Sequence, residues 1–391
     1  MRKFLVLAAL VAGAMRAETA LVLPFFNQST APNLDWIGES VAESIGDALA
    51  SEGVLVLERA DRLEGYRRLS LRPGAELTHA SVIKIGQALD ASEVVYGYYE
   101  VIAGPAGDNT KASLRITARI LDLKEMRQGQ SYGQLGALEE LAGLEAKLGW
   151  QTLAKLRGDR AGSEADFLRA RPPVRIDAVE SYIRGLLATS AEQRQRLFLQ
   201  AARLDEHYSQ PCFQLGKAYW EKKEYKSAAG WLSRVTRADP HYFEAQFFLG
   251  LCRYSTGDFP GAEQAFQSVA ATIPLNEVLN DLGASQSRRN DTTAAISSFQ
   301  KALEGDSGDP DYHFNLGYTL WRAGQYAAAA ESFRAVLARS PEDAEATLLL
   351  GRATKGEGPR PGEAKLEQRE RIKTNYEETA YRQLQAELTK K

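Results

Sequence analysis

Residues 241–274 read HYFEAQFFLGLCRYSTGDFPGAEQAFQSVAATIP. In this stretch Leu249-Gly250 is followed by Ala262, Phe266 and Val269, and a helix-breaking proline closes it at Pro274. The apolar spacing on either side of Gly257 has a helical period, which predicts two amphipathic helices joined by a short turn. Small residues such as Gly250 and Ala262 let the two helices approach closely, while Leu249 and Phe266 fill the space between hairpins. Gly257 sits at the join, where a residue type that tolerates a left-handed helix end is needed.

The same spacing recurs outward in both directions. Leu-Gly pairs stand at Leu215-Gly216, Leu282-Gly283, Leu316-Gly317 and Leu350-Gly351, so that successive glycines are 34, 33, 34 and 34 residues apart. Ala228, Ala295 and Ala329 repeat the alanine, and Leu232, Phe299 and Phe333 repeat the large residue. Val235, Ala302 and Val336 follow them, with Pro240 and Pro341 as closing prolines and Asn290 and Gly324 in the turn position. Self-similarity at this period predicts an array of stacked hairpins. Four units are clear over residues 209–342, and a shortened unit at 178–208 has Gly185 and Ala201 in the corresponding slots. The third unit departs from the pattern because its proline arrives late, at Pro310, which leaves its closing turn open.

This pattern resembles the tetratricopeptide repeat (TPR) family. The resemblance implies an all-α TPR superhelical solenoid over residues 175–355, with degenerate units flanking the four clear ones. Beyond Gly351, the run Gly356-Glu357-Gly358-Pro359-Arg360-Pro361-Gly362 cannot continue a helix. Residues 363–391 are charged, with Leu366, Ile372, Tyr376 and Leu384 among their few large apolar residues, and are expected to form a C-terminal capping helix or a tail.

The amino-terminal half alternates strand-like and helix-like segments. Residues 19–25 and 54–57 read as strands, and residues 36–49 carry Ile37, Val41, Ile45 and Leu49 on one helical face. A second helix is expected at 82–89, and a last one at about 138–156. Residues 93–102 and 113–121 read as paired strands around a turn segment at 104–109. The expected fold class is therefore an α/β N-terminal domain with a mixed sheet, residues 18–157, followed by the helical array. Leu21-Val22-Leu23-Pro24-Phe25 with Asn27, Ile37-Gly38-Glu39 with Ala42-Glu43, and Ile85-Gly86 with Leu89, Ala91, Val95 and Gly97 are similar to TolB-like amino-terminal domains. That resemblance implies an assembly or interaction role in the bacterial envelope and supplies no catalytic residues. The mostly polar stretch 158–174, ending in Pro172-Pro173-Val174, reads as a linker and hinge.

Residues 1–17 combine Arg2 and Lys3, an apolar run from residue 4 to 11, and small residues at Ala12, Gly13 and Ala14. They read as a signal peptide, cleaved after 14 or 17, and no lipid-acceptor cysteine follows them. The expected location is periplasmic or otherwise exported. A net charge of −3 over 391 residues offers no broad positive field for nucleic acid. No apolar run is long enough for a transmembrane helix.

A search for chemistry finds little. His207 and His241 lie one repeat period apart and read as echoes of the repeat; His79 precedes a helix, and His313 occupies a packing position. Cys212 and Cys252 occupy unlike positions of adjacent units, too far apart for a disulfide, so two partly buried free thiols are expected. Phosphate-binding loops and nucleophile elbows are lacking, Ser40 in Gly38-Glu39-Ser40 included. Catalytic, metal and cofactor sites are therefore expected to be absent, and a hydrolase is the least favoured reading. By the resemblance, a groove holding a peptide or protein partner would be lined by Phe213, Lys217, Trp220, Phe247, Tyr254, Asn280, Arg288, Phe314, Tyr318, Trp321 and Arg322. The reading that follows is an exported interaction scaffold or adaptor in an envelope-associated complex, with a ligand-sensing regulatory protein as the alternative.

Overall fold

The computed structural model describes residues 19–29, 32–102, 112–360 and 370–388. The signal segment 1–17, the turn 104–109 and residues 363–369 lie outside the described residues. The chain opens with β1 (Thr19–Val22) and β2 (Phe26–Asn27), which are separated by Pro24 and pair one after the other, in parallel, with β4 (Glu93–Ile102). β3 (Leu55–Val56) lies parallel to β1 on its far side. β5 (Ser113–Asp122) runs antiparallel to β4 and also carries β6 (Arg127–Gln128) and β7 (Tyr132–Ala137). The sheet is mixed, as expected. The short edge strands β6 and β7 escaped the sequence reading because Arg127, Gln128, Gly133 and Gln134 show no apolar alternation.

Helices cover both faces of this sheet. On one face lie α1 (Trp36–Ala50) and α4 (Leu141–Arg157), and Ile37, Val41, Ile45 and Leu49 of α1 are fully buried. The other face carries α2 (Arg59–Arg68), which the sequence reading missed, and α3 (His79–Ala88). Two glycines of this half are places of close approach. A β-carbon on Gly38 would lie 2.1 Å from the Phe25 carbonyl oxygen, and one on Gly97 would lie 2.6 Å from the Phe25 ring.

The stretch 158–174 is more ordered than a bare linker. Glu164–Arg169 forms α5, capped by the Ser163 hydroxyl accepting from the Asp166 amide at 3.2 Å. Its Phe167 is buried in the main core, and the Arg171 guanidinium lies 3.7 Å from the centre of that ring. Packing of one aromatic residue converts the expected hinge into a docked connection.

Consecutive helical hairpins follow: α6 (Ile176–Leu187) with α7 (Ala191–Leu204), and α8 (Gln210–Glu221) with α9 (Tyr225–Leu232). They continue as α10 (Tyr242–Ser255) with α11 (Phe259–Ala270), and α12 (Asn276–Arg288) with α13 (Thr292–Gly305). The last hairpin is α14 (Pro310–Arg322) with α15 (Tyr326–Arg339), and α16 (Ala344–Thr354) packs on α15. The repeat signature is a physical contact. A β-carbon on Gly250 would come within 2.6 Å of the Phe266 ring, and one on Gly283 within 2.8 Å of Phe299. Gly185 bears the same relation to Phe198, at 2.5 Å, so the degenerate first unit keeps the contact without the motif. Gly257, Asn290 and Gly324 all have positive φ, and Lys223 takes the same place in its own unit with φ of 61°. Pro310 is the first residue of α14, whose N-cap is Asp309, so it starts the fourth unit and does not close the third.

The expected helix over 363–391 is the largest departure. Among the described residues of this region Glu378–Leu388 forms a helix, α17, and residues 370–377 have no regular secondary structure. α17 lies against the amino-terminal half: its Arg382 pairs with Glu58 at 3.0 Å and Asp61 at 3.4 Å, and Tyr381 is buried. Glu370, Arg371, Lys373 and Arg382 are therefore paired with charges of other elements, where a cap would turn them to solvent. The main core runs without a break from the sheet through α1 and α6 to α12, and it includes Tyr381.

Candidate functional site

The first helices of successive hairpins, α10, α12 and α14, and the start of α16 present one continuous strip of side chains. On that strip lies the chain's own segment Glu370-Arg371-Ile372-Lys373-Thr374-Asn375-Tyr376-Glu377. Two fully buried carboxamides grip its main chain. Asn280 and Asn315 both donate to the Arg371 carbonyl oxygen, at 2.9 and 2.8 Å, and the Arg371 amide donates back to Asn315 Oδ1 at 2.7 Å. Asn315 also donates to Asn280 Oδ1 at 2.8 Å, which fixes both amide planes. Two residues on, the Lys373 amide donates to Asp281 Oδ1 at 2.8 Å. Such side-chain bonds to a backbone without a ladder of its own supply what a neighbouring strand supplies in a sheet.

Side chains of the segment enter charge-sorted subsites. The Glu370 carboxylate is buried, accepts from Ser287 Oγ at 2.7 Å and from Tyr254 Oη at 3.1 Å, and has Arg288 and Arg322 each at 3.9 Å. The Arg371 guanidinium stacks 3.6 Å from the centre of the Phe314 ring and makes two hydrogen bonds to Asp343, at 2.7 and 3.1 Å. The Lys373 ammonium sits 2.9 Å from Asp309 and 2.7 Å from Asp311. Tyr376 meets Phe247 edge to face at a centroid distance of 5.0 Å. Burial pulls the Asp343 carboxyl upward, yet the Arg371 guanidinium and the Ala346 and Glu345 amides together outweigh it and hold the group below the usual carboxylate range. For Asp281 burial wins: its pKa is raised well above normal despite the Lys373 amide, and its Oδ2 has no hydrogen-bond partner among the described residues.

Of the eleven groove residues predicted from the repeat register, Phe247, Tyr254, Asn280, Arg288, Phe314 and Arg322 contact this segment. Trp321 donates instead to the Glu357 carbonyl at 2.7 Å, and Tyr318 packs between Phe314 and Trp321. Phe213, Lys217 and Trp220 lie at the other end, near the amino-terminal half. There Phe213 stacks on His241 at 4.5 Å, Lys217 pairs with Glu244 at 2.9 Å, and Trp220 meets Phe248. Sequence reasoning missed Asp281, Asn315, Ser287, Asp309, Asp311 and Asp343. A signal for two of them was present: Asp281 and Asn315 are 34 residues apart, one repeat period, polar residues one place before Leu282 and Leu316 of the repeated Leu-Gly pairs.

His241 is more than an echo of the repeat. Its Nδ1 is 3.3 Å from Glu244 Oε2; burial lowers the imidazole pKa, but Glu244, Asp239 and Asp47 overcome this and raise it to about 9. Glu244 is driven the other way, to about 2, by His241 and Lys217 acting against burial. Burial lifts the carboxyls of Asp47, which shares a cavity with His241 and Glu244, and of Glu145, in an adjoining cavity that Asp47 also lines, to about 8. His79 is exposed, His313 points Nε2 at the Ser307 carbonyl at 3.0 Å, and His207 is exposed. Cys212 and Cys252 are free and fully buried, where partial burial was expected, and burial pushes their thiols to about 11 and about 12. Thiols so rarely ionised are poor nucleophiles. Among the described residues no group of three or more His, Cys, Asp or Glu side chains is placed to hold a metal ion. None of the described helices is long and apolar enough to cross a membrane.

Comparison with known proteins bears on the repeats. The tetratricopeptide repeat family model matches residues 213–277, 280–344 and 314–354. Among solved structures, the chain is similar to YrrB, described as a TPR protein with an unusual peptide-binding site, at 21% identity, covering 46% of this chain and 92% of that one with a TM-score of 0.41. It is also similar to MamA from Desulfovibrio magneticus RS-1, at 23% identity over 43% of this chain and 98% of that one, with a TM-score of 0.38. Curated proteins yield no match.

Proposed function

From the premise that residues 213–354 carry tetratricopeptide repeats, we propose that this protein is a non-enzymatic scaffold whose groove holds an extended peptide of a partner protein. The observation that carries this reading is the carboxamide clamp: Asn280 and Asn315 hold the backbone of residue 371 through three hydrogen bonds that any peptide could supply. We take the consecutive hairpins as a superhelical solenoid, with residues 18–157 as a TolB-like domain, packed on the first repeats, that docks an envelope component. Export to the periplasm rests on the signal-like residues 1–17.

Selection of random peptides against the full chain carrying Arg371→Ala and Lys373→Ala tests the scaffold. Peptides should be enriched, and enrichment should vanish when Asn280→Ala and Asn315→Ala are added. Enrichment indifferent to those two carboxamides would sink the reading. Export is tested separately by fusing residues 1–30 to a reporter enzyme that is active only outside the cytoplasm; an inactive fusion removes it.

A second reading, a ligand sensor, is favoured by the cleft between α1 and the repeats, lined by the half-buried Asp47 and the buried Glu145, whose carboxyls both have raised pKa. A ligand bound there would stabilise the fold by mass action. Thermal-shift screening with cationic metabolites of the envelope should then find a compound whose effect is lost in Asp47→Asn.

A further inference from the structure

The strip of chain in the groove has the form of a bound ligand. Its main-chain hydrogen bonds at Arg371 and Lys373 go to groove side chains, and it forms no strand or helix of its own. Its side chains fall into subsites of opposite charge. Glu370 meets the Tyr254 and Ser287 hydroxyls beside Arg322, Arg371 meets Asp343, and Lys373 meets Asp309 and Asp311. Electrostatic complementarity of this kind gives selectivity and fast association more than raw affinity. The fit is also incomplete, since Asp281 Oδ2 is left without a partner among the described residues while Oδ1 is used.

We propose that the groove recognises in a partner protein an extended segment of the pattern Glu-Arg-x-Lys-x-x-aromatic, and that residues 370–376 are an internal copy of that segment which the partner displaces. The proposal rests on the peptide-binding reading above and names its ligand. Charge order gives the direction: the carboxylate enters near the ends of α12 and α14, and the two cations lie toward the helix starts, beside Asp309, Asp311 and Asp343. An acidic peptide would meet three carboxylates where it needs cations. The aromatic residue closes the register against Phe247. Because the internal copy is tethered, it competes at an effective concentration on the order of 1 mM, and a peptide of ~10 µM intrinsic Kd would be weakened about a hundredfold.

The test uses the full chain in two forms, wild type and a variant carrying Glu370→Ala, Arg371→Ala and Lys373→Ala. The probe is a fluorescein-labelled peptide with the sequence of residues 368–378, QRERIKTNYEE, read by anisotropy. The variant should bind at least about tenfold more tightly than wild type, and binding should be lost when Asn315→Ala is added or when the Arg and Lys of the peptide are replaced by Glu. Should the triple variant melt early by circular dichroism, Lys373→Glu, which sets a carboxylate against Asp309 and Asp311, serves as the opened chain. Equal binding of the charge-reversed peptide overturns the proposed pattern while leaving a peptide-binding groove intact. Failure of every peptide, including any selected from a random library, overturns both. Mixed dimers of wild type and variant would give the groove to a second copy and also overturn the proposal.

Discussion

At the scale of single residues, the decisive atoms belong to Asp281, Asn280 and Asn315, all of them fully buried. A buried carboxamide can donate and accept at once, whereas a buried carboxylate must be desolvated to accept only. Asp281 therefore carries a cost that Asn315 does not. Its folded-state pKa is raised, so its contribution to stability is fully present only below the unfolded value of about 3.9 and is lost as the pH climbs towards the folded one. Asp281→Asn keeps an acceptor for the Lys373 amide and removes the charge. It should leave stability at pH 7 unchanged or raise it by about 1 kcal/mol, whereas Asp281→Leu should cost about 1–3 kcal/mol. Denaturant unfolding of both variants at pH 5 and pH 8 checks this; an Asn variant markedly weaker than wild type at pH 8 would contradict it.

Elements obey the contacts that generate them. The Leu-Gly signature exists because the glycine of a first helix faces the large residue of the second. Gly250→Ala would push a methyl group to 2.6 Å from the Phe266 ring and should cost roughly 1–3 kcal/mol. Gly351 has the same motif but meets no second helix among the described residues, where a β-carbon on it finds no atom within 4 Å. Gly351→Ala should therefore stabilise α16 by up to about 1 kcal/mol, the propensity difference alone. Thermal melts of the two variants should move in opposite directions. The same contrast explains the carboxyl-terminal region. Residues 363–391 read as helical by composition, but for residues 370–377 the bonds to Asn315 and Asp281 take the place of a helical ladder. Amide exchange can test that exchange of partners: Arg371→Ala with Lys373→Ala should expose amides 370–377 while those of α12 and α14 stay protected.

Across the whole molecule, one core joins sheet and repeats, and a charged cluster sits at the junction: His241 with Glu244, Lys217, Asp239 and Asp47. The His241 pKa is raised to about 9, so its stabilising contribution is fully present below the ordinary imidazole value of about 6.5 and is lost as the pH rises through 9. The difference in unfolding free energy between wild type and His241→Asn, from denaturant titrations, should accordingly be largest near pH 6 and shrink by pH 9.5. Its size should be on the order of 1 kcal/mol, since the ring is partly exposed and screened. A gap that does not change with pH would assign His241 to packing on Phe213 alone.

Local pattern alone determined the hairpins, the sheet strands with apolar alternation and the existence of a lined strip on the first helices. Each of these depends on periodicity within a few residues or on one repeat period, and periodicity is a property of the chain before it folds. What covers that strip was decided by the tertiary structure. The partner of Asn315 is Arg371, 56 residues on, and the partner of Asp281 is Lys373, 92 residues on. Pairings so distant leave no periodic trace in one sequence, because charge and amide complementarity becomes visible only when folding brings the two segments together.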